Sequence, residues 1–408
     1  MNRKERIIVI LLASLNFTHL LDFVIMMPLG NYLMPQLSLT PFQFTLLIGS
    51  YPISAFFSGI LLATHADKFE RKQFLLFTYA GFIVGTAACG FANGFVFLLL
   101  ARIFTGFFGG IIGGQVLSIV SDLFVFERRG MAMGAVMSAF AVASSAGVTF
   151  SLYLVDIFHD NWHLPFLLVA GVGLVLLPFC IKHLPELREH LHASAQTSHS
   201  SGKRILIILQ NKTFGLTLLF SGLLMMGHFL IIPFINPYLE FNKGYSKDIT
   251  PLLFLIGGIA SFISAIYIGK LADKAGKLKV LNYCIILSFV FVVLLTNLPV
   301  LPFSVVILFF TIWFGLVTGR SVSSQTLISS VPDAASRAGF MSLNSSVQHL
   351  GTGAAVLLSG VIVKESKGGK LLHYEWVGYL SIAVLLIVLF LGLRLFKNTD
   401  QQIAVNNN

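Results

Sequence analysis

Two short charged stretches, half a chain apart, determine the fold of this 408-residue chain. The first stretch is His65-Ala66-Asp67-Lys68-Phe69-Glu70-Arg71-Lys72, and the second is Leu271-Ala272-Asp273-Lys274-Ala275-Gly276-Lys277. Each stands between long apolar runs. A charged turn that recurs at the same place in two halves of a hydrophobic chain is typical of a membrane protein built from two similar units.

The composition excludes a water-soluble fold. Hydrophobic residues make up 56% of the chain and charged residues only 11%, whereas an ordinary soluble domain is about a quarter charged. The net charge of +10 comes from residues in the turns rather than from one basic face. We therefore expect an integral membrane protein that has lipids as neighbours and no nucleic-acid partner.

Twelve apolar runs are long enough to cross a bilayer, which requires roughly 20 residues each. They span roughly 7–34, 42–64, 73–93, 95–121, 131–157, 164–183, 212–241, 249–270, 279–298, 303–329, 339–364 and 374–397. The sequence predicts an all-α membrane protein with two pseudo-symmetric six-helix bundles. The predicted parts are an N-terminal bundle (1–184), a cytoplasmic linker (185–211), a C-terminal bundle (212–397) and a disordered tail (398–408).

The placement of the 27 lysine and arginine residues tests this topology. With an inside N-terminus, the side opposite the termini receives only Lys243, Lys247, Lys364, Lys367 and Lys370. Nearly all the others fall on the side of the termini, as the positive-inside rule requires. The sequence thus predicts a multi-pass monomer in the inner or plasma membrane, with both termini cytoplasmic.

No residue pattern indicates an enzyme, a metal site or a bound cofactor. The cysteines Cys89, Cys180 and Cys284 lie inside apolar runs, without metal-ligand spacing. Gly106, Gly110 and Gly114 follow one another at intervals of four. Such spacing favours close helix packing, since a nucleotide loop would need a preceding strand.

The two charged stretches resemble the loop pattern Gly-x-Leu-Ala-Asp-Arg-x-Gly-Arg-Lys of the major facilitator superfamily, and the resemblance extends over essentially the whole chain. The second stretch keeps glycines that the first lacks. The resemblance implies alternating access between the bundles. It also implies an inner gate, for which the expected residues are Asp67, Arg71, Arg128, Arg129 and Asp273. The alternative for Asp67 is a solvated turn.

Of two further segments, the first resembles a motif of the drug and sugar exporters of that superfamily and the second departs from one. Arg102-Ile103-Phe104-Thr105-Gly106 resembles their buried-arginine motif in the fourth helix. In the fifth helix, Thr149 and Ser151 stand where a Pro and a Gly of the antiporter motif are expected. The resemblance implies proton-coupled antiport.

Asp22 is the one acid deep in a predicted helix, and an ionisable group in hydrocarbon is a functional candidate. At a rise of 1.5 Å per residue, Asp22 and Arg102 lie about one turn apart in depth, so an ion pair is feasible. His19 precedes Asp22 by three residues and shares its helix face. We expect Asp22 to be the proton-carrying carboxylate, with His19 and Arg102 as the other proton-coupling residues; the alternative is a permanent structural ion pair.

The second half places His228, Arg320 and His349 in helix interiors without a deep acid. Arg320 and His349 are expected at similar depth, where they could hold an anionic or carbonyl-rich substrate. For each histidine alone, a hydrogen bond between helices is the favoured alternative. Other polar residues expected to line the central cavity are Asn31, Gln115, Asn236, Gln325 and Asn344.

Prolines lie at corresponding places in the first and seventh predicted helices. Pro28 interrupts the first predicted helix, and Pro233 and Pro237 interrupt the seventh. Because proline removes a backbone donor, both helices are expected to bend.

The function expected from this sequence is proton-coupled efflux of a small organic molecule. Protons and the transported molecule would be its partners. Proton symport, or facilitated passage of an organic anion or sugar, stays open, as does a non-transporting sensor on the same fold. The buried charges argue against the sensor, because a scaffold does not need them.

Overall fold

The computed structural model describes residues 3–65, 69–124, 126–187, 210–333 and 336–406, including side chains except at 62–65, 126–130, 338 and 398–406. Asp67 and most of the predicted linker 185–211 lie outside these residues.

The described part of the first half contains eight α-helices that form six crossings. They are α1 (Arg3–Ile25), α2 (Gly30–Gln36), α3 (Pro41–His65), α4 (Arg71–Gly90), α5 (Phe95–Leu123), α6 (Phe126–Val142), α7 (Val148–Ile157) and α8 (His163–His183). Helices α1 and α2 make up the first crossing. Helices α6 and α7 make up the fifth, joined by a π-helical segment, Ala143–Gly147.

The second half continues with six further long helices. They are α9 (Lys212–Phe229), α10 (Thr250–Ala275), α11 (Lys277–Thr296), α12 (Phe303–Ser330), α13 (Arg337–Ile362) and α14 (Tyr374–Asn406). Between α13 and α14, the strands β1 (Lys364–Glu365) and β2 (Leu371–Leu372) form a short antiparallel hairpin.

Within the described ranges, eleven helical segments are long and apolar enough to cross a membrane. The twelfth predicted crossing is α13, which is 26 residues long. Its apolar residues are interspersed with Ser342, Asn344, Gln348 and His349, which lower its hydropathy. All twelve predicted crossings are therefore present as helices.

The predicted proline breaks are confirmed. Helix α1 ends at Ile25, and the chain turns through Pro28 before α2 begins. After α9 the chain passes through a 3-10 turn (Ile232–Phe234), a short turn (Ile235–Pro237) and a π-helical segment (Tyr238–Asn242). The two breaks meet, because Asn236 Nδ2 donates to the carbonyl oxygen of Pro28 at 3.3 Å.

The predicted tail differs from the structure. Helix α14 does not end near residue 397 but continues to Asn406. The segment 398–406 contains neither glycine nor proline. Since adding residues to an existing helix costs far less than starting one, the polar segment can extend it.

The second charged stretch forms a tight turn that depends on glycine. Helix α10 ends at Ala275 and α11 begins at Lys277, with Gly276 between them at φ +99°. Residues with a Cβ rarely adopt this conformation. The glycine kept in this copy therefore permits the turn.

Glycines also allow α5 to approach α3. A methyl group on Gly106 would overlap the backbone carbonyl of Tyr51, and one on Gly110 would overlap Ala55. A methyl group on Gly114, by contrast, would meet no neighbouring atom. The predicted packing role is thus confirmed for the first two glycines only.

The two halves meet along two seams. Helix α3 packs along α13, and α10 packs against α7 and the π-helical segment of the fifth crossing. We call the end of the molecule that carries the β1–β2 hairpin the hairpin end. The opposite end, which holds Arg3 and the α10–α11 turn, is the terminal end.

Candidate functional site: buried charges between the helices

The predicted ion pair between the first and fourth crossings is confirmed. Arg102 Nη1 donates to Asp22 Oδ2 at 2.7 Å and to the Asp22 backbone oxygen at 3.3 Å. Both side chains are fully buried. The ring of Tyr51 lies under the guanidinium, with 4.8 Å between its centroid and Cζ. Such a pair is neutral as a whole, which makes its burial tolerable.

His19, predicted to share a helix face with Asp22, forms its hydrogen bond with another residue. Its Nε2 lies 3.0 Å from Asn16 Oδ1, and Asn16 Nδ2 donates to the Val136 carbonyl at 3.0 Å. The ring also lies within electrostatic range of His349 in the other half. Residues three apart are neighbours on a helix, yet their side chains can turn to different partners.

Arg320 lies in the interior of α12, with 2% of its surface exposed. Among the described residues its Nε and Nη1 have no hydrogen-bond partner. The predicted neighbour, His349, lies within electrostatic range of His19 in the other half, and His228 on α9 lies within electrostatic range of Arg320.

His228 lies beside an aromatic group that sequence reasoning did not single out. Its ring centroid is 5.5 Å from that of Trp313, which precedes Arg320 by two turns on α12. His228 Nδ1 and Trp313 Nε1 are buried without a partner among the described residues. The seven-residue spacing between Trp313 and Arg320 places both on one helix face, and that spacing was the available signal.

The other predicted cavity residues divide into two groups. Gln115 and Asn344 are buried inside the bundle, and Gln325 is partly buried on α12. Asn31 and Asn236 instead join the two halves. Asn31 Nδ2 donates to Glu240 Oε2 at 2.5 Å, and Asn236 bonds the Pro28 carbonyl.

The hairpin end holds two further links between the halves. Lys247 Nζ donates to Asp160 Oδ2 at 2.7 Å, and Thr149 Oγ1 donates to the Pro251 carbonyl at 3.1 Å. The hydrogen bond that Lys247 donates to the Asp160 carboxylate raises the pKa of Lys247. The hairpin end is therefore closed in this conformation.

Of the predicted inner-gate residues, only Arg71 and Asp273 have described side chains, and both lie at the terminal end. Arg71 Nε forms an ion pair with Asp122 Oδ2 at 2.5 Å, and Asp273 pairs with Lys277 at 3.1 Å. Asp67 and the side chains of Arg128 and Arg129 lie outside the described residues.

Asp122 and Glu70 were missed by sequence reasoning. Asp122 stands near the C-terminal end of α5, where a negative charge is unfavourable unless it is paired. The Glu70 carboxylate caps α4 and accepts from the backbone N–H groups of Lys72, Gln73 and Leu187. Burial raises the pKa of Glu70, but these three donors outweigh burial and hold the pKa below its usual range.

One surface cavity lies outside this site. It has a volume of about 400 Å³ and lies between α10 and α12, with Ser264, Thr311 and Gly315 in its lining. None of the predicted cavity residues borders it.

Twelve helical membrane crossings in two halves, with charged groups buried between them, are typical of polytopic transport proteins. The chain belongs to the Major Facilitator Superfamily, whose pattern it matches over residues 12–337 and again over 219–408. The predicted family and fold class are thereby confirmed. Both point to a transporter of small molecules rather than an enzyme.

Proteins with similar sequences include transporters of two bacteria. The chain is 23% identical to a "Probable sugar efflux transporter" of Helicobacter pylori strain J99, over 87% of this chain and 84% of the relative. It is 24% identical to the uncharacterized MFS-type transporter YtbD of Bacillus subtilis strain 168, over 88% of each chain.

Solved structures share the fold. A D-xylose-proton symporter aligns with a TM-score of 0.74 at 17% identity, over 94% of this chain and 96% of the symporter. A bacterial homologue of the human lysosomal transporter Spinster, in an inward-facing and occupied conformation, also aligns with a TM-score of 0.74. Its identity is 16%, over 97% of this chain and 98% of that chain.

Proposed function

We propose that this protein is a proton-coupled exporter of a small organic molecule, in which the two halves open the site alternately to each side. The observation that carries the proposal is the fully buried Asp22–Arg102 pair. An intramembrane carboxylate is costly, and in transport proteins such a group is typical of a proton relay.

Asp22 would act as the proton carrier because Arg102 responds to its charge. A proton on Asp22 removes the negative partner and leaves the buried guanidinium uncompensated, which is strongly unfavourable. The pair would then have to separate or rearrange. Loss of the proton restores the attraction, so the two protonation states favour different helix positions.

The position of Asp22 connects this switch to the closed end. Asp22 lies in the last turn of α1, just before the break that contains Pro28. That break bonds Asn236 in the seventh crossing. A change in the ion pair would therefore be transmitted to the links between the halves. His19, through Asn16 and toward His349, is a second proposed route between the halves.

Export rather than uptake is supported by the names of relatives such as the sugar efflux transporter. Arg320, whose Nε and Nη1 have no partner among the described residues, favours as second candidate symport or facilitated passage of an organic anion.

Flux in vesicles tests coupling and direction together. Purified protein is reconstituted with glucose or arabinose inside, and release is followed under a pH gradient of either sign. We expect release that depends on inward proton movement. Asp22→Asn should abolish the pH dependence, and Asp22→Glu should retain part of it. Glu375→Gln, which removes a partly exposed carboxylate in the first turn of α14, is the control. Undiminished proton-driven release in Asp22→Asn would falsify the proposal, and proton-driven uptake would support the symporter.

We further propose an inner-membrane or plasma-membrane location, with the terminal end and both termini cytoplasmic. Asp67, Arg71, Arg128, Arg129 and Asp273 would then form the inner gate. The distribution of lysine and arginine supports this orientation. The three native cysteines are buried, so a single Lys367→Cys on the hairpin should react with an impermeant maleimide added to intact cells. Labelling only after cell rupture would contradict the orientation.

A further inference from the structure

Two arginines are buried among the described side chains, and they differ in one respect. Arg102 has the Asp22 carboxylate as its partner, whereas Arg320 has no ion pair among the described residues. A guanidinium cannot lose its charge in a protein, so Arg320 is positive in every state. An uncompensated buried charge costs several kcal/mol. Something outside the described side chains must offset part of that cost.

The groups near Arg320 do not supply a negative charge. Cys284 on α11 and His228 on α9 lie within electrostatic range of the guanidinium. A cysteine thiol ordinarily ionises only near pH 8.5, and a histidine is neutral or positive. Within the described part of the chain, the surroundings of Arg320 thus contain a fixed positive charge and no fixed negative one.

Several buried donors accompany Arg320. Its own Nε and Nη1, the indole Nε1 of Trp313 and Nδ1 of His228 all lack a partner among the described residues. The guanidinium and the indole can only donate hydrogen bonds, and the His228 nitrogen does so in one tautomer. A group that satisfies them must therefore offer acceptors, and a negative charge would also neutralise Arg320.

The aromatic surroundings suit a compact ring. Trp313 is fully buried and has Phe310 and His228 as ring neighbours, at centroid distances of 6.3 and 5.5 Å. Trp313 and Arg320 lie about 10 Å apart along one helix face. Small-molecule sites typically combine such apolar walls with a few polar groups that fix orientation.

We propose that Arg320, Trp313 and His228 bind the negatively charged group and ring of an acidic transport substrate, such as a sugar acid or another small organic acid. This inference rests on the proposed transport function and adds the chemical class of the substrate. Arg320 would hold the carboxylate or phosphate, and Trp313 would border the ring.

Matched neutral and acidic sugars test the site without requiring transport. Binding of glucose, glucuronate and glucose 6-phosphate to the full-length protein in detergent is measured by titration calorimetry. We expect the acidic sugars to bind about tenfold or more tightly than glucose, because hydrogen bonds to charged groups are the strong ones. Equal affinity for all three, or no binding by either acidic sugar, overturns the proposal.

Variants assign the preference to Arg320. Arg320→Gln should remove the preference for acidic sugars, whereas Arg320→Lys should keep part of it because the charge remains. Arg394→Gln, an exposed arginine on α14, is the matched control and should bind like the native protein. An unchanged preference in Arg320→Gln refutes the assignment. If Arg320→Gln does not fold, Trp313→Phe provides the same test through weaker binding of acidic sugars, and unaltered binding refutes the site.

The phosphate of a lipid would also accept hydrogen bonds from Arg320 and neutralise its charge. Delipidated protein reconstituted with a neutral lipid should still bind glucuronate if the site serves the substrate. Binding that appears only after removal of an anionic lipid, with no glucuronate flux in vesicles, would assign Arg320 to lipid and overturn the substrate role. Flux of neutral sugar without an acidic preference would refute this site and leave the transport function standing. Acidic-sugar binding without flux of any sugar would support this binding site and refute the transport function.

Discussion

Replacing Gly360 by alanine should open the hairpin end without unfolding the protein. Gly360 is buried near the end of α13, on the seam with α3. A methyl group at this position would overlap Thr45 Oγ1 and lie 2.8 Å from Thr45 Cβ. Thr45 is fully buried, and its hydroxyl donates to the Phe42 carbonyl at 3.0 Å. The clash therefore falls between the two halves, in the conformation in which the hairpin end is closed.

The expected size follows from the cost of overpacking. Extra methyl groups in a packed interior typically cost about 1–3 kcal/mol. The higher helix propensity of alanine, worth about 1 kcal/mol over glycine, applies in both conformations and cancels. The cost of overpacking falls on the closed state alone and shifts the open-to-closed ratio about 5- to 150-fold.

Spin labels across the seam can measure this shift. Cysteines replace Phe42, at the start of α3, and Lys367, in the hairpin loop, and their distance distribution is recorded by pulsed electron paramagnetic resonance in nanodiscs. Gly360→Ala should enlarge the long-distance population. Gly171→Ala, where a methyl group meets nothing within 4 Å, should leave the distribution unchanged.

Replacing a second glycine of α13 distinguishes a change of conformation from a loss of stability. A methyl group on Gly351 would overlap the backbone of Gly222 in α9, within the same half. Gly351→Ala should therefore lower the thermal unfolding temperature and leave the spin-label distances as they are. If Gly360→Ala only lowers stability, with no change in distance, the reasoning about the seam is refuted.

Two further predictions concern groups outside the crossings. Glu70→Gln should lower thermal stability in detergent near pH 7, because the carboxylate with a lowered pKa stabilises the folded state above its unfolded pKa of about 4.3. The difference from the native protein should fade as the pH drops below that value, and a constant difference would contradict the role of the charge. Lys247→Met should open the hairpin end less than Gly360→Ala does, since exposed ion pairs such as Lys247–Asp160 contribute about 0.2–1 kcal/mol. The same spin-label distances should show that this opening disappears at high salt, because salt screens the ion pair in the native protein. Opening that persists at high salt would contradict the role of the ion pair.

The architecture was largely predictable from sequence because the bilayer imposes simple rules. A crossing requires a long apolar run, and charges collect at its ends. Even the breaks in the first and seventh crossings followed from Pro28 and Pro233. The extension of α14 was not predictable in this way, since its polar residues 398–406 are compatible with either helix or coil.

The contacts within the site were predictable where the depth of two residues along their helices decides whether they meet. Asp22 and Arg102 share a depth, and they bond. Rotation about each helix axis is set by packing against several neighbours, which sequence spacing does not contain. For that reason His19 was assigned to Asp22 rather than to Asn16. His349 was placed with Arg320, although it lies within electrostatic range of His19 in the other half.

The π-helical segment Ala143–Gly147 has a consequence for comparing the two halves. A π turn holds one residue more than an α turn, and the matching crossing of the second half, α13, is a continuous α-helix. A repeat alignment of the fifth and eleventh crossings therefore needs a one-residue gap at this segment. Without the gap, each residue of α7 is paired with a position rotated by about 100°. Internal symmetry can then be traced through the helix ends, but only by counting turns rather than residues.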